Sequence, residues 1–222
     1  VRDTPKPLLD VAGQPFILHQ LRLLAAQKAT RAVICVGYLG EQIVERVGRE
    51  QFGIEIEYSH DGAVPIGTLG AVRKAASLLG DHFLVLYGDT YLRMDYGAAA
   101  AEWLASGLPG MMAVLRNEGR WDASNVEFDG RRVLRYDKRA PTPEMDWIDY
   151  GLGGLEVDTL DRVDTAVSDL SDLYHSLSLS GSLLGFAVTE RFYEIGTPEA
   201  LAEAESFFNG HGAEVEVLGS GE

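Results

Sequence analysis

Phe83-Leu84-Val85-Leu86-Tyr87-Gly88-Asp89-Thr90 is an apolar run that ends in a glycine and a carboxylate. It reads as a strand buried on both faces, because no polar residue alternates within it. Ala71 to Leu79 before it has helical spacing, and Tyr96 to Ala105 after it is a helix built around Ala98-Ala99-Ala100-Ala101. The alternation extends toward the N-terminus. Phe16, Leu18, Leu21, Leu23 and Leu24 mark a helix after Pro15, and Ala32 to Val36 reads as another strand buried on both faces. Ile43, Val44 and Val47 mark a helix, and Ile54, Ile56 and Tyr58 an alternating strand. Met111 to Leu115 adds a further strand. Strands separated by helices predict a parallel, doubly wound sheet with right-handed crossovers.

The second half changes character. Val126 to Phe128 and Val133 to Tyr136 flank Asp129-Gly130, a hairpin signal. Ile148 to Val157 reads as a strand, Leu170 to Leu177 as a helix, and Leu183 to Val188 and Phe192 to Ile195 as short strands. A last helix starts near Pro198 with Thr197 as its cap, and ends near Asn209-Gly210. Val215 to Leu218 has the pattern of an edge strand.

The chain has 222 residues, enough for one full core, and 46% hydrophobic and 24% charged residues, as in ordinary globular proteins. Its formal net charge of -15 opposes binding to nucleic acid or to an anionic membrane. A phosphorylated small substrate stays compatible, because local cations, backbone N–H groups and Mg²⁺ reverse the sign within one pocket. Cys35, the single cysteine, sits in the apolar run Ala32 to Val36 and reads as a buried strand residue. One cysteine makes no internal disulfide, which fits a reducing, cytoplasmic compartment. No apolar stretch reaches the length of a membrane span, and no segment reads as a signal peptide. The five histidines show no metal-ligand spacing, and no nucleophile motif is present.

Four segments carry chemistry. Lys6 stands between Pro5 and Pro7, on a stiff backbone that presents a cation to phosphate; the plain alternative is a solvated turn lysine. Pro65-Ile66-Gly67-Thr68-Leu69-Gly70-Ala71 opens a helix, where Gly67 and Gly70 let a ligand approach backbone N–H groups. Asp89, after Gly88 at the carboxyl end of a strand, sits where open α/β sheets bind ligands and suits Mg²⁺. Glu194 and Glu199 lie in Arg191-Phe192-Tyr193-Glu194-Ile195-Gly196-Thr197-Pro198-Glu199, where Glu194 as a purely structural residue is the other reading.

These segments, with Thr4-Pro5-Lys6-Pro7-Leu8-Leu9-Asp10-Val11-Ala12-Gly13 at the start, resemble the sugar-1-phosphate nucleotidyltransferases in their order. The resemblance runs to about Phe208 and is nearest the short guanylyltransferases acting on heptose or mannose 1-phosphate. It implies a Rossmann-like, doubly wound mixed sheet in a three-layer α/β/α arrangement, with a β-rich portion on the acceptor side. Residues 1–209 are expected to form a single nucleotidyltransferase domain, and 210–222 a C-terminal tail. In the family a G-G-x-G-T-R-L loop stands upstream of P-K-P-L, so the domain is expected to be N-terminally incomplete.

The resemblance also implies roles. Lys6 and Asp89 are the expected catalytic residues, with NTP and a sugar 1-phosphate as substrates. Gly67, Thr68, Gly70 and Gly88 are expected at the nucleotide. Asp89 and Glu194 are the expected Mg²⁺ ligands, Glu194 replacing the family's usual aspartate and reaching metal directly or through a water. Asn125, Asp137, Lys138, Asp149 and Gly151 are expected on the sugar phosphate, with Asp149-Tyr150 departing from the family's asparagine pattern. A homo-oligomer is left open. Two other readings are a catalytically impaired nucleotide-sugar-binding regulatory subunit, and a cytidylyltransferase of a phospho-alcohol. The latter needs an aromatic cage, for which Trp103, Trp121 and Trp147 are the candidates.

Overall fold

The computed structural model describes residues 3–62, 64–121 and 123–210. In chain order the elements are β1 (Asp10–Val11), β2 (Gln14–Pro15), α1 (Phe16–Ala26), β3 (Arg31–Val36), α2 (Gly40–Val47), β4 (Glu50–Gln51) and β5 (Ile54–His60). They continue with α3 (Gly67–Ala75), β6 (His82–Leu86), β7 (Thr90–Leu92), α4 (Tyr96–Ser106), β8 (Gly110–Arg116), β9 (Val126–Phe128), β10 (Val133–Tyr136) and β11 (Trp147–Glu156). The last four are α5 (Leu170–Leu179), β12 (Leu183–Val188), β13 (Phe192–Glu194) and α6 (Pro198–Gly210). The strand expected at 215–218 lies outside the described residues. Among those described, no helix is long and apolar enough to cross a membrane.

The elements gather into two compact units. Among the described residues, the first takes 3–62, 64–65, 88–91 and 192–210. Its sheet has the order β3-β5-β4, with β3 and β5 parallel and β4 antiparallel to β5. The stripe of α1 (Ile17, Leu18, Leu21) joins Val36, Ile43, Val47, Ile54 and Ile56 in one apolar cluster. The 3.6-residue period of α1 and α2 and the two-residue period of β5 put these side chains on facing surfaces. A second, short ribbon pairs β7 with β13. The aromatic end of α6 holds it: Phe207 stacks on Tyr193 at 4.1 Å, and Phe208 meets Tyr91 edge-on at 4.8 Å. Phe208 also stacks on His19 of α1 at 3.9 Å.

The expectation that β3 is buried on both faces fails. Ala32, Ile34 and Val36 pack on the α1 cluster, whereas Cys35 on the opposite face is exposed. The strand ends its sheet, so an unbroken apolar run does not imply two covered faces. Exposure does not make this thiol reactive. Desolvation and then the Asp61 charge push its pKa up to about 11, and the thiolate is the nucleophile. Iodoacetamide should therefore alkylate Cys35 at pH 8 at least about tenfold more slowly than it alkylates a free thiol of ordinary pKa. The rate should climb about tenfold per pH unit up to pH 10. A rate matching the free thiol at pH 8 would overturn this.

The second unit, with described residues 66–87, 92–121 and 123–191, contains a six-stranded mixed sheet. Its order is β10-β9-β11-β8-β12, with β6 on β11. β12 and β8 are parallel, and β11 runs antiparallel to both β8 and β6. The fold is thus mixed α/β, with parallel pairs at β3–β5 and β8–β12 rather than the wholly parallel sheet expected. β6, also expected to be buried on both faces, is half-buried and has one strand neighbour. α3, α5, β8, β9, β10 and β11 share one core around Leu69, Met112, Val126, Tyr136, Leu155, Leu173 and Leu177.

Local signals place the helices. Asp95 caps α4 by accepting from Ala98 N at 2.8 Å, and Asp169 caps α5 by accepting from Ser171 N at 2.8 Å. Thr197 accepts from Ala200 N at 3.1 Å, as the sequence suggests for α6. Helix α3 begins at Gly67, four residues before the expected start, and its last turn tightens into a 3₁₀ segment over Ala76–Leu78.

Candidate functional site

The first unit assembles one cluster. Lys6 opens a 3₁₀ turn, Lys6–Leu8, whose carbonyl accepts from Leu9 N at 2.9 Å. This holds the lysine backbone while its side chain stays 56% exposed. Pro7 lies over Gly88, where an added Cβ would come within 3.3 Å of the ring. The proline-flanked lysine and the Gly88-Asp89 pair, far apart in sequence, are therefore neighbours. Lys6 Nζ stands 3.8 Å from Asp89 Oδ2.

Asp89 is anchored through its backbone and its flank. Its carbonyl accepts from Ile195 N at 3.0 Å, which puts Glu194 beside it on the adjoining strand. Gln20 Nε2 donates to Thr90 O at 2.8 Å, and Thr90 Oγ1 donates to Asp89 Oδ1 at 3.4 Å. Both carboxylates face solvent, Asp89 at 39% side-chain exposure. Among the described residues no three His, Cys, Asp or Glu side chains form a ready cage. Two exposed carboxylates are nevertheless a donor set that fits Mg²⁺, which binds through one or two carboxylates and keeps waters and phosphates.

The second unit holds the other expected residues, centred on Asp149. Asn125 Oδ1 accepts from Asp149 N at 3.0 Å, and Asp149 Oδ1 accepts from Gly151 N at 2.9 Å. Tyr136 Oη donates to Asp149 Oδ2 at 3.1 Å, and Lys138 Nζ lies 3.5 Å from the same oxygen. The Asp149 side chain is only 9% exposed. Burial, then the Asp149 charge, pushes the Tyr136 phenol far up, so it stays a neutral donor.

Gly151 has φ +100, which an L side chain rarely adopts. It lies in an irregular stretch of β11, where the step from Asp149 to Gly153 spans only Val114 to Met112 on β8. A bulge of this kind re-aims the side chain next to it.

Several expected residues already have partners within the chain. Asp137 Oδ1 accepts from Arg139 N and Ala140 N, both at 2.9 Å, and Oδ2 from Arg135 at 3.2 Å. These bonds, led by the backbone pair, lower its pKa and make it a turn cap. Gly67, with φ +75, is packed against Ser168, whose carbonyl oxygen would be 2.3 Å from an added Cβ. Leu69 N donates to that carbonyl at 2.8 Å. Thr68 Oγ1 accepts from Leu170 N at 2.9 Å and faces Asp169 at 3.4 Å. Gly70 leaves room for Ile66, at 3.1 Å from a would-be Cβ. Gly67 and Thr68 therefore tie the starts of α3 and α5 together.

The three tryptophans have separate partners. Trp103 is buried against Gly154 and donates to Leu108 O at 2.8 Å. Arg191 lies over Trp121 at 4.8 Å, and Trp147 meets Phe128 edge-on at 5.0 Å. None of these contacts forms the cage a quaternary ammonium would need.

The nucleotidyl transferase family model matches residues 1–121, more than half of the chain. The chain belongs to the nucleotidyl transferase family. Among curated relatives of this family, the N-acetylmuramate alpha-1-phosphate uridylyltransferase of Neisseria meningitidis serogroup B is 42% identical over 108 residues, 48% of this chain and 46% of that protein. Mannose-1-phosphate guanyltransferase beta-B of Xenopus laevis is 23% identical over 203 residues, 88% of this chain and 56% of that protein. The chain spans about half the length of these relatives. The crystal structure of HddC from Yersinia pseudotuberculosis complexed with GMP-PN has a TM-score of 0.77 at 21% identity, covering 93% of this chain and 91% of that one. At that identity the likeness speaks for the fold.

Tyr174 carries no functional signal in the sequence. It sits in the apolar stripe Leu170, Leu173, Leu177 of α5, so its spacing is that of a core residue. Tyr136 stood next to Asp137-Lys138, but its link to Asp149 needs the β9–β11 pairing.

Proposed function

We propose that this chain transfers a nucleoside monophosphate from an NTP to a sugar 1-phosphate and releases pyrophosphate. The observation that carries the reading is the Lys6, Gly88, Asp89 and Glu194 cluster in a chain of this family. A phosphate oxygen of the sugar 1-phosphate attacks the α-phosphorus of the NTP. A new P–O bond forms, and the bond from the α-phosphorus to the bridging oxygen of pyrophosphate breaks. The attacking oxygen is already anionic, so no general base is required. Catalysis then reduces to aligning two anions and neutralising their charge.

Lys6 supplies a cation on a stiff backbone and lessens the repulsion between the substrates. Asp89 and Glu194 are the residues that would hold Mg²⁺, which when bound neutralises phosphate charge. In the second unit Asp149, aligned by Asn125 and Tyr136, accepts sugar hydroxyls, and Lys138 is the nearby cation for the sugar phosphate. Gly151 keeps that wall free of a side chain. A cytoplasmic location, where NTPs are abundant, suits this reaction.

Two donors deserve the first tests. Guanylyl transfer to a mannose or heptose 1-phosphate is the reading that the sequence and the mannose-1-phosphate relatives favour. Uridylyl transfer is favoured by the 42% identity to an N-acetylmuramate 1-phosphate enzyme. Pyrophosphate release with Mg²⁺, the four NTPs and a panel of sugar 1-phosphates decides between them. The panel includes N-acetylmuramate α-1-phosphate, and is run on this chain and on a version extended upstream in its coding sequence. Turnover with one NTP–sugar pair is the expected result. No turnover by either protein, together with a nucleotide sugar raising Tm, would replace the enzyme reading with the binding-subunit one.

A further inference from the structure

A cavity of about 10 Å³ lies in the second unit, between the bulge of β11 and helix α5. Asp149, Gly151, Gly153, Tyr87 and Tyr174 line it, with Met112 on the apolar side. That volume holds one water molecule or one hydroxyl group. Tyr174 is buried, and among the described residues its hydroxyl has no hydrogen-bond partner. A buried hydroxyl left unpaired costs about 1–3 kcal/mol, and buried polar groups are nearly always satisfied. The ring reaches the cavity because position 153 has no side chain. A Cβ there would sit 1.7 Å from the Tyr174 oxygen.

The same lining offers the complementary group. Asp149 receives Gly151 N on one oxygen, and Tyr136 Oη and Lys138 on the other. A carboxylate has about four acceptor positions, so capacity remains. Burial first, and neighbouring Tyr87 and Asp149 after it, keep the Tyr174 phenol protonated. Tyr174 can donate a hydrogen bond and Asp149 can accept one. A sugar hydroxyl, which accepts and donates at once, satisfies both.

We propose that Tyr174 and Asp149 form a one-hydroxyl subsite in which Tyr174 sorts acceptor sugars by the presence of a single hydroxyl. This rests on the acceptor reading of Asp149 above. A site that hydrogen-bonds a substrate hydroxyl discriminates against the analogue lacking it, because its own buried groups are then left unpaired.

The test is calorimetric binding of mannose, glucose and N-acetylmuramate α-1-phosphates, with their monodeoxy analogues, to wild type and Tyr174→Phe. For the best-bound sugar, loss of one particular hydroxyl should weaken wild-type binding about tenfold or more. In Tyr174→Phe the same loss should weaken it less than about threefold. An unchanged gap in Tyr174→Phe overturns the subsite and leaves the transferase reading intact. No binding of any sugar 1-phosphate to wild type overturns both. A crystal structure of the wild-type complex reads the same point without a variant. A sugar hydroxyl on Tyr174 supports the proposal, and a water retained there overturns it.

Discussion

Asp89→Asn should lower kcat/KM for pyrophosphate release about a thousandfold, the scale seen when a principal charge-stabilising group is removed. The substitution keeps shape and removes the charge. The protein should still fold with little change in Tm, because Asp89 and Lys6 are both substantially exposed at 3.8 Å. Exposed pairs of this kind contribute little stability. The backbone anchors, Ile195 N to the Asp89 carbonyl and Gln20 to the Thr90 carbonyl, do not involve the carboxylate. Lost activity in a folded variant would therefore be chemical in origin. Glu194→Gln should cost less, because the longer side chain leaves Asp89 in place to hold the metal. If Asp89→Asn retains more than a tenth of wild-type activity, Asp89 is not the metal-holding residue.

Gly67→Ala should destabilise the second unit by about 3 kcal/mol, whether or not nucleotide is present. Two causes add. An L residue at φ +75 is strained, and its Cβ would lie 2.3 Å from the Ser168 carbonyl oxygen. That oxygen is backbone and already accepts from Leu69 N, so it cannot retreat without opening the α3–α5 junction. Gly107→Ala isolates the first cause. Gly107 also has positive φ, at +66, but nothing lies within 4 Å of a Cβ there. Its cost should be about 1 kcal/mol. Urea unfolding of both variants gives the difference. Equal losses would mean that Ser168 yields, and would return Gly67 to a purely ligand-facing role.

Gly67 shows how a motif can be legible while its physics is not. The sequence places a glycine at a helix start, where both ligand access and close packing require one. Only the fold brings Ser168, a hundred residues on, against it. Asp137 is similar. A carboxylate beside a lysine reads as a sugar contact, but the turn after it presents two N–H groups that take its oxygen first. Asp149 went the other way. Its departure from the asparagine pattern bears on which sugar is taken, and the structure makes it the hub of Asn125, Tyr136, Lys138 and Gly151.

Burial was the weaker part of the strand reading. Apolar runs located β3 and β6 correctly, but both strands stand at the ends of their sheets. Periodicity reports which side chains are apolar, whereas burial depends on what covers them. Cys35 is exposed for that reason.

By itself, the sequence located most of the helices and the longer strands and singled out Lys6 and Asp89. Helical spacing, β-branched runs, the cap at Thr197 and the rigid Pro-Lys-Pro turn all act within a few residues, so local rules suffice. The tertiary structure decided which of the charged and glycine residues are already used by their own neighbours, and it alone brought Tyr174 and Asp149 to one small cavity. Those outcomes depend on strand register, a bulge in β11 and the seat of α5. Each of these is settled by packing between segments far apart in the chain, which no local pattern encodes.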